Sequence, residues 1–195
     1  MKTSILISAL LALLTGCAGG ASKQYERLRE YSGADAGVAV MSVGYFKSSP
    51  FSLSSIAFRT KETDDKGAFN YIPKYFFPSP KDFESTEAEG AVVALKLPPG
   101  QYEIFGASGG WGAGAYRFSA GTPILPPMAF TVQSGRTSYI GRFVIGFNGS
   151  RESPPANLQI TDMLAADLAI ANSRDKSVST EPVQSFVPSL ERRKQ

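Results

Sequence analysis

From residue 36 onward the sequence alternates with a period of two, in short runs broken by glycine, proline and charged turns. Val38, Val40, Ser42 and Gly44 alternate with Ala39, Met41, Val43 and Tyr45. Both sets are small or apolar, so this strand should be covered on both faces. Further strands are expected over 54–59, 68–72, 91–97, 101–105, 115–119, 128–133 and 138–147. In the run 91–97, Val93, Leu95 and Leu97 share one face and Val92, Ala94 and Lys96 the other. The turn Lys61-Glu62-Thr63-Asp64-Asp65-Lys66-Gly67 should face water, and Pro78 and Pro80 make 75–82 a loop or sheet edge. Pro98-Pro99-Gly100 supplies a fixed φ followed by a permissive one, which predicts a hairpin between 91–97 and 101–105.

One helix is expected near the end. Thr161 caps it, Asp162 sits at its positive end, and Leu164, Leu168 and Ala171 form an apolar stripe. Many short strands with a single short helix predict one antiparallel β-sandwich of about seven to nine strands over 36–173. Residues 174–195 read as a polar, loosely docked tail.

The first 35 residues follow other rules. Lys2 precedes a charge-free apolar run over 5–14, which is half the ~20 residues that a membrane span requires. Leu14, Thr15 and Gly16 then lead directly into Cys17, the lone cysteine. This arrangement looks like a bacterial lipoprotein signal: residues 1–16 are removed by a peptidase that recognises Leu14, Thr15 and Gly16, and Cys17 becomes the new N-terminus. By the same likeness the Cys17 sulfur carries a diacylglyceryl group and its amine a further acyl chain such as palmitate, the only cofactor-like group expected. One myristoyl-sized chain binds membranes only marginally, at ~0.8 kcal/mol per buried methylene, so several chains make a lasting anchor. Alanine rather than aspartate at position 18 follows the Gram-negative pattern for sorting to the outer membrane, facing the periplasm. Residues 17–35 then form the lipidated end and a tether, with Tyr25, Leu28 and Arg29 on one face of a short helix docking on the domain.

Composition narrows the chemistry. With its single thiol committed to lipid, the mature chain of about 180 residues must be held by burial and hydrogen bonding, without a disulfide. Twenty Lys and Arg against seventeen Asp and Glu give a net charge of +3, too small and too scattered for nucleic acid. The basic cluster Arg192-Arg193-Lys194 reads as solvated tail, with anionic lipid or cell-wall polymer as its other possible contact. Histidine is absent, which removes the commonest acid-base group and metal ligand.

No motif survives as a catalytic or metal site. Gly106-Ala107-Ser108-Gly109-Gly110 matches a nucleophile elbow, yet the pattern needs a following helix and a histidine. A Ser-Lys dyad is formally open. The same glycine-rich stretch is expected to be a long hairpin loop, and Trp111, Tyr116 and Arg117 are its candidate ligand-binding residues: two flat apolar faces and a forked cation beside open backbone. Asp162 and Asp167 diverge by about 140° on a helix and do not form an acid-base pair. Asp82, Glu84, Glu87 and Glu89 read as a solvated loop, and Asp64-Asp65-Lys66-Gly67 lacks calcium-loop spacing.

Leu97-Pro98-Pro99-Gly100-Gln101-Tyr102-Glu103-Ile104, Phe130-Thr131-Val132-Gln133-Ser134-Gly135 with Tyr139-Ile140-Gly141, and Ile160-Thr161-Asp162 leading to Asp167-Leu168 together resemble a group of uncharacterised bacterial lipoproteins. Those look like transthyretin-like or carboxypeptidase-regulatory-like β-sandwiches, with a PPG-x-Y hairpin, a V-x-x-G-x-x-x-Y-I-G strand pair and a closing helix. The resemblance spans roughly 91–170 and leaves 48–89 as an insertion. It implies a sandwich in the envelope and brings no catalytic residue. The expected function is a non-catalytic binding or structural module, anchored to the membrane by lipid, whose partner is an envelope protein or cell-wall glycan. An envelope hydrolase or transferase using carboxylates or a Ser-Lys dyad, and a subunit of an envelope assembly, are the two alternatives.

Overall fold

A computed structural model describes residues 28, 31–48, 53–73, 78–113, 116–146, 157–181 and 183–187. Leu14, Thr15, Gly16, Cys17, Tyr25, Arg29, residues 74–77 and Arg192-Arg193-Lys194 lie outside them. Leu28 is helical and 3% exposed, packed into the main core.

The described strands form two sheets. The six-stranded sheet contains β1 (Gly37–Phe46), β4 (Phe83–Glu84), β5 (Ala88–Leu97), β8 (Thr137–Gly146), β9 (Asn157–Thr161) and β10 (Val183–Ser185). Its order is β10-β8-β1-β5-β4, with β9 also paired to β8. The four-stranded sheet contains β2 (Leu53–Thr60), β3 (Lys66–Tyr71), β6 (Gly100–Ala113) and β7 (Tyr116–Val132), in the order β3-β2-β6-β7. Pairing is mostly antiparallel, but β8 runs parallel to β1 and to β10. The helix, α1, spans Leu164–Arg174.

Inner faces of the two sheets make the core. Ala39, Met41, Val43 and Tyr45 of β1 share it with Ile56 and Phe58 of β2, Phe69 and Tyr71 of β3, and Phe130 and Val132 of β7. Phe58 stands at the centre of the rings, 5.1 Å from Phe69, 6.0 Å from Tyr102 and 6.1 Å from Phe130 between centroids. The edge-on angles to Tyr102 and Phe130 suit aromatic quadrupoles. On the outer face of the six-stranded sheet, Val38, Val40, Val92 and Tyr139 pack under Leu168, Ala171 and Val178. β1 is therefore covered on both sides, as its two apolar sets require, and the helix stripe is the second cover.

The charged turn over 61–67 joins β2 to β3 as a true hairpin, with Thr60 Oγ1 accepting the backbone N–H groups of Thr63 and Asp65. Pro98-Pro99-Gly100 is different: β5 and β6 belong to separate sheets, so the turn is a corner between layers and the expected hairpin does not form. The Tyr102 hydroxyl donates to Pro98 O at 2.7 Å and closes that corner, as tyrosine corners do in other sandwiches. The expected strand pair from Val132 to Gly141 is a second crossing, from β7 in one sheet to β8 in the other.

Five further expectations change. The glycine-rich stretch is strand, since residues 106–110 pair with β2 on one side and β7 on the other. The expected strands 115–119 and 128–133 fall largely in one long strand, β7, which spans Tyr116–Val132. Thr161 ends β9 and does not cap α1; Asp162 Oδ1 accepts the Leu164 N–H at 3.0 Å instead. The described part of the tail after residue 173 is docked: Val178 is fully buried, β10 pairs with β8, and Phe186 packs against the main core. The stretch 48–89 supplies β2, β3 and β4, and is integral to both sheets.

Candidate functional site

The chain enters β1 at one end of the sandwich, and a cavity of about 410 Å³ lies there. Ser32, Gly33, Ala36, Val38, Lys96, Gly135 and Ser177 line it. Lys96 is at the outer-face end of β5, and its Nζ lies 3.5 Å from Asp175 Oδ2 just after α1. Asp175 Oδ1 accepts the Ser177 N–H at 2.8 Å. Those bonds to Ser177, helped by Lys96, hold the Asp175 carboxyl below its ordinary range. Volume and mixed lining suit a small polar ligand.

A second group of polar side chains lies under α1. Asp167, 0% exposed, accepts from the Tyr139 hydroxyl at 2.8 Å and pairs with Arg142. Tyr139 Oη in turn accepts the Met163 N–H at 3.1 Å, fixing the start of the helix. Residues 139 and 142 differ by an odd number and would face opposite ways on a regular strand. The register of β8 against β1 slips by one residue between Tyr139 and Gly141, where Gly141 takes φ +126°, and both side chains then share the outer face. Arg142 also stacks 4.1 Å over the Phe83 ring. That ring lies on the registered pair Gly44 and Gly90, where a Cβ at Gly44 would meet it at 2.7 Å. At the far end of α1, Arg174 pairs with Asp82, whose Oδ2 also accepts the Val92 N–H at 2.7 Å. Both helix ends are thus tied to the sheet. Burial and the Asp167 charge push the Tyr139 phenol well above its ordinary range.

The acidic stretch is likewise structural, against the expectation of a solvated loop. Glu89, opposite Tyr45 in the β1–β5 register, accepts from the Tyr45 hydroxyl at 2.6 Å and from Tyr71 at 3.1 Å. The two rings stack at 5.7 Å. Burial, reinforced by Glu89, raises both phenols above their usual range. Glu84 bridges Lys47 at 2.6 Å and Lys81 at 2.7 Å, and these partners lower its carboxyl to about 2. Glu87 is exposed, as expected, and its backbone N–H donates to Ser85 Oγ at 3.1 Å.

Trp111, Tyr116 and Arg117 stand at the end of the β6–β7 hairpin, where the backbone register sets Trp111 opposite Phe118, Gly112 opposite Arg117 and Ala113 opposite Tyr116. β6 begins at the Pro98-Pro99-Gly100 corner, and these residues lie at its other end. Ser108 is mid-strand, opposite Ser55 and Gly121, and the strand-to-helix elbow is not formed. Sequence reasoning weighed Asp167 only against Asp162 and did not join it to Arg142 and Tyr139. The available signal was Asp167 itself, a carboxylate three residues after Leu164 and next to Leu168 in the helix stripe.

No protein-family model matches the chain, and no curated protein matches it. Among solved structures it is similar to a leucine-rich repeat protein from Bacteroides thetaiotaomicron VPI-5482, at 12% identity and a TM-score of 0.37. The overlap covers 57% of this chain and 14% of that one.

Proposed function

We propose that this is a lipid-anchored protein of the bacterial cell envelope, sorted to the periplasmic face of the outer membrane, whose sandwich acts as a binding or bracing module and not as an enzyme. The observation that carries the reading is the run Leu14-Thr15-Gly16-Cys17 directly after a short apolar segment. Its support in the fold is the employment of the acids: Asp167, Asp82, Glu89 and Glu84 each hold one element to another. The likeness to transthyretin-like and carboxypeptidase-regulatory-like lipoproteins points the same way. The cavity at the entry to β1 is the ligand site this reading favours, and its natural occupant is a small group on an envelope protein or glycan.

One observation favours the hydrolase alternative, since the cavity gathers Lys96 with Ser32 and Ser177. A Ser-Lys dyad needs the amine free to take the hydroxyl proton. Lys96 faces Asp175 instead, and an ammonium paired to a carboxylate is a poor base.

Cys17→Ser with cell fractionation and intact-mass measurement tests the anchor. The expected result is a variant left uncut at residue 16 and carrying no lipid, against a wild-type chain beginning at an acylated Cys17. A wild-type N-terminus without lipid, or a variant cut after residue 16 like the wild type, overturns the proposal.

A further inference from the structure

Among the described residues, two large apolar side chains stand out in solvent: Leu125, 76% exposed, and Met163, 39% exposed. Leu125 belongs to a bulge of β7. Gly106 of β6 pairs with Pro123 and Ile104 with Met128, so residues 124–127 loop out opposite Phe105 alone. Ile124 is 9% exposed in the core between the sheets, and Met128 packs against that core. The bulge is thus rooted in the core, and Pro123, Leu125 and Pro126 are held out from it, exposed.

Pro123, Pro126 and Pro127 carry no N–H, so over 123–127 only Ile124 and Leu125 bring a backbone donor. Between Arg117 and Arg136 no residue is charged. Glu103, which lies opposite Ala129, is paired with Arg59 at 2.5 Å. A strand seeking an edge finds few donors here. A stable protein partner covers ~800 Å² on each side, and one leucine with three prolines offers far less. A lipid surface asks for neither: it accepts an apolar tip of any outline, at least cost where unpaired N–H groups are fewest.

We propose that the bulge over 123–128 is a lipid-contact tip, with Leu125 and its flanking prolines seated in the head-group layer of the bilayer that holds Cys17. This rests on the lipid-anchor reading above. Residues 18–27 separate Cys17 from Leu28, which is 3% exposed in the same core cluster as Ile124. Whatever conformation those residues take, the span from Cys17 to Leu28 is at most ~40 Å. That is about the width of a domain of this size, with a radius of gyration of ~15 Å. The anchored sandwich therefore never leaves the neighbourhood of the bilayer. A contact too weak to recruit the protein from solution is enough to orient it there, because linked sites meet at high effective concentration.

The test uses the chain from Cys17, which keeps every described residue, coupled through the Cys17 thiol to a maleimide lipid in phosphatidylethanolamine–phosphatidylglycerol vesicles. Coupling supplies the anchor whether or not cells acylate Cys17. Intact mass of the protein from cells reads acylation separately, so the two readings fail apart. Trp111→Phe removes the lone tryptophan. Leu125→Trp or Gln159→Trp then places one at the bulge or on exposed β9 of the other sheet, the second serving as control for the indole's own affinity for interfaces. In vesicles with brominated acyl chains, the indole of Leu125→Trp is expected to shift to the blue and lose most of its emission, and that of Gln159→Trp to do neither. Quenching of both or of neither overturns the proposal. So does a blue shift at Leu125→Trp without quenching, which would mean that another protein chain covers the bulge. In the coupled chain without substitutions, amide exchange at Ile124 and Leu125 is expected to be slower than in the same chain free of vesicles, and unchanged exchange overturns the proposal equally.

Discussion

The six-stranded sheet is buried on two faces and the four-stranded sheet on one, and the two manage polar groups in different ways. Under α1, a carboxylate with no exposure is answered by a tyrosine, a guanidinium and a strand bulge that aims both. On the outer face of the four-stranded sheet, Arg59 and Glu103 form a pair at 2.5 Å in contact with water, with Arg59 5.3 Å from the Phe105 ring. The first arrangement decides whether the helix can dock at all. The second contributes little, because solvent screens it and either partner can turn to water.

Alkaline pH tests whether burial on both faces extends to the phenols, and the largest effect is expected there. Burial is the main cause of the upward shifts of Tyr45, Tyr71, Tyr102 and Tyr139. Above pH 10 the unfolded chain has released these protons and the folded chain has not, so stability falls as pH rises. Tyrosinate absorbance and loss of the strand spectrum should rise together; ionisation near pH 10 with the strand spectrum intact would show that the phenols are not enclosed.

Arg142→Ala is next. It leaves Asp167 buried with Tyr139 as its remaining side-chain partner, and the cost is expected to be ~3–5 kcal/mol in urea unfolding. A loss below ~1 kcal/mol would mean that water reaches Asp167 and would erase the contrast with the other sheet. Gly90→Ala places a Cβ against the Phe83 ring and Val43 O, and overpacking of this kind costs ~1–3 kcal/mol. An unchanged midpoint would show that Phe83 does not rest on the glycine pair. Tyr102→Phe removes the bond to Pro98 O at the corner joining the two sheets, for ~1 kcal/mol. Calorimetry reads that as a lowered Tm, and no change would make the corner a matter of packing alone. Glu103→Gln on the wet face is the smallest, at most ~1 kcal/mol and reduced by salt. An effect as large as that of Arg142→Ala would sink the comparison.

Much of this architecture was legible in the residues, and the errors have identifiable causes. Period two located most strands, because alternate burial leaves its mark on residues a few positions apart. It could not distinguish a hairpin from a corner: Pro98-Pro99-Gly100 reverses the chain in either case, and whether β6 pairs with β5 or crosses over depends on partners far along the chain. Docking over 178–186 left little trace because few apolar residues, among them Val178 and Phe186, make it, and parallel pairing of β10 to β8 uses backbone groups that every sequence carries. At the candidate site, Ser32, Lys96 and Ser177 carried no signal, being ordinary residues brought together from three separate segments.

By itself the sequence determined the strand-rich class, the double burial of β1 and the apolar stripe of α1, since each depends on neighbours within a few residues. The tertiary structure alone decided which sheet each strand joins, how one slip at Gly141 turns Tyr139 and Arg142 to the same side, and why a helix carrying Asp167 can be buried. Those depend on groups tens of residues apart meeting in space, and local periodicity holds no record of the meeting.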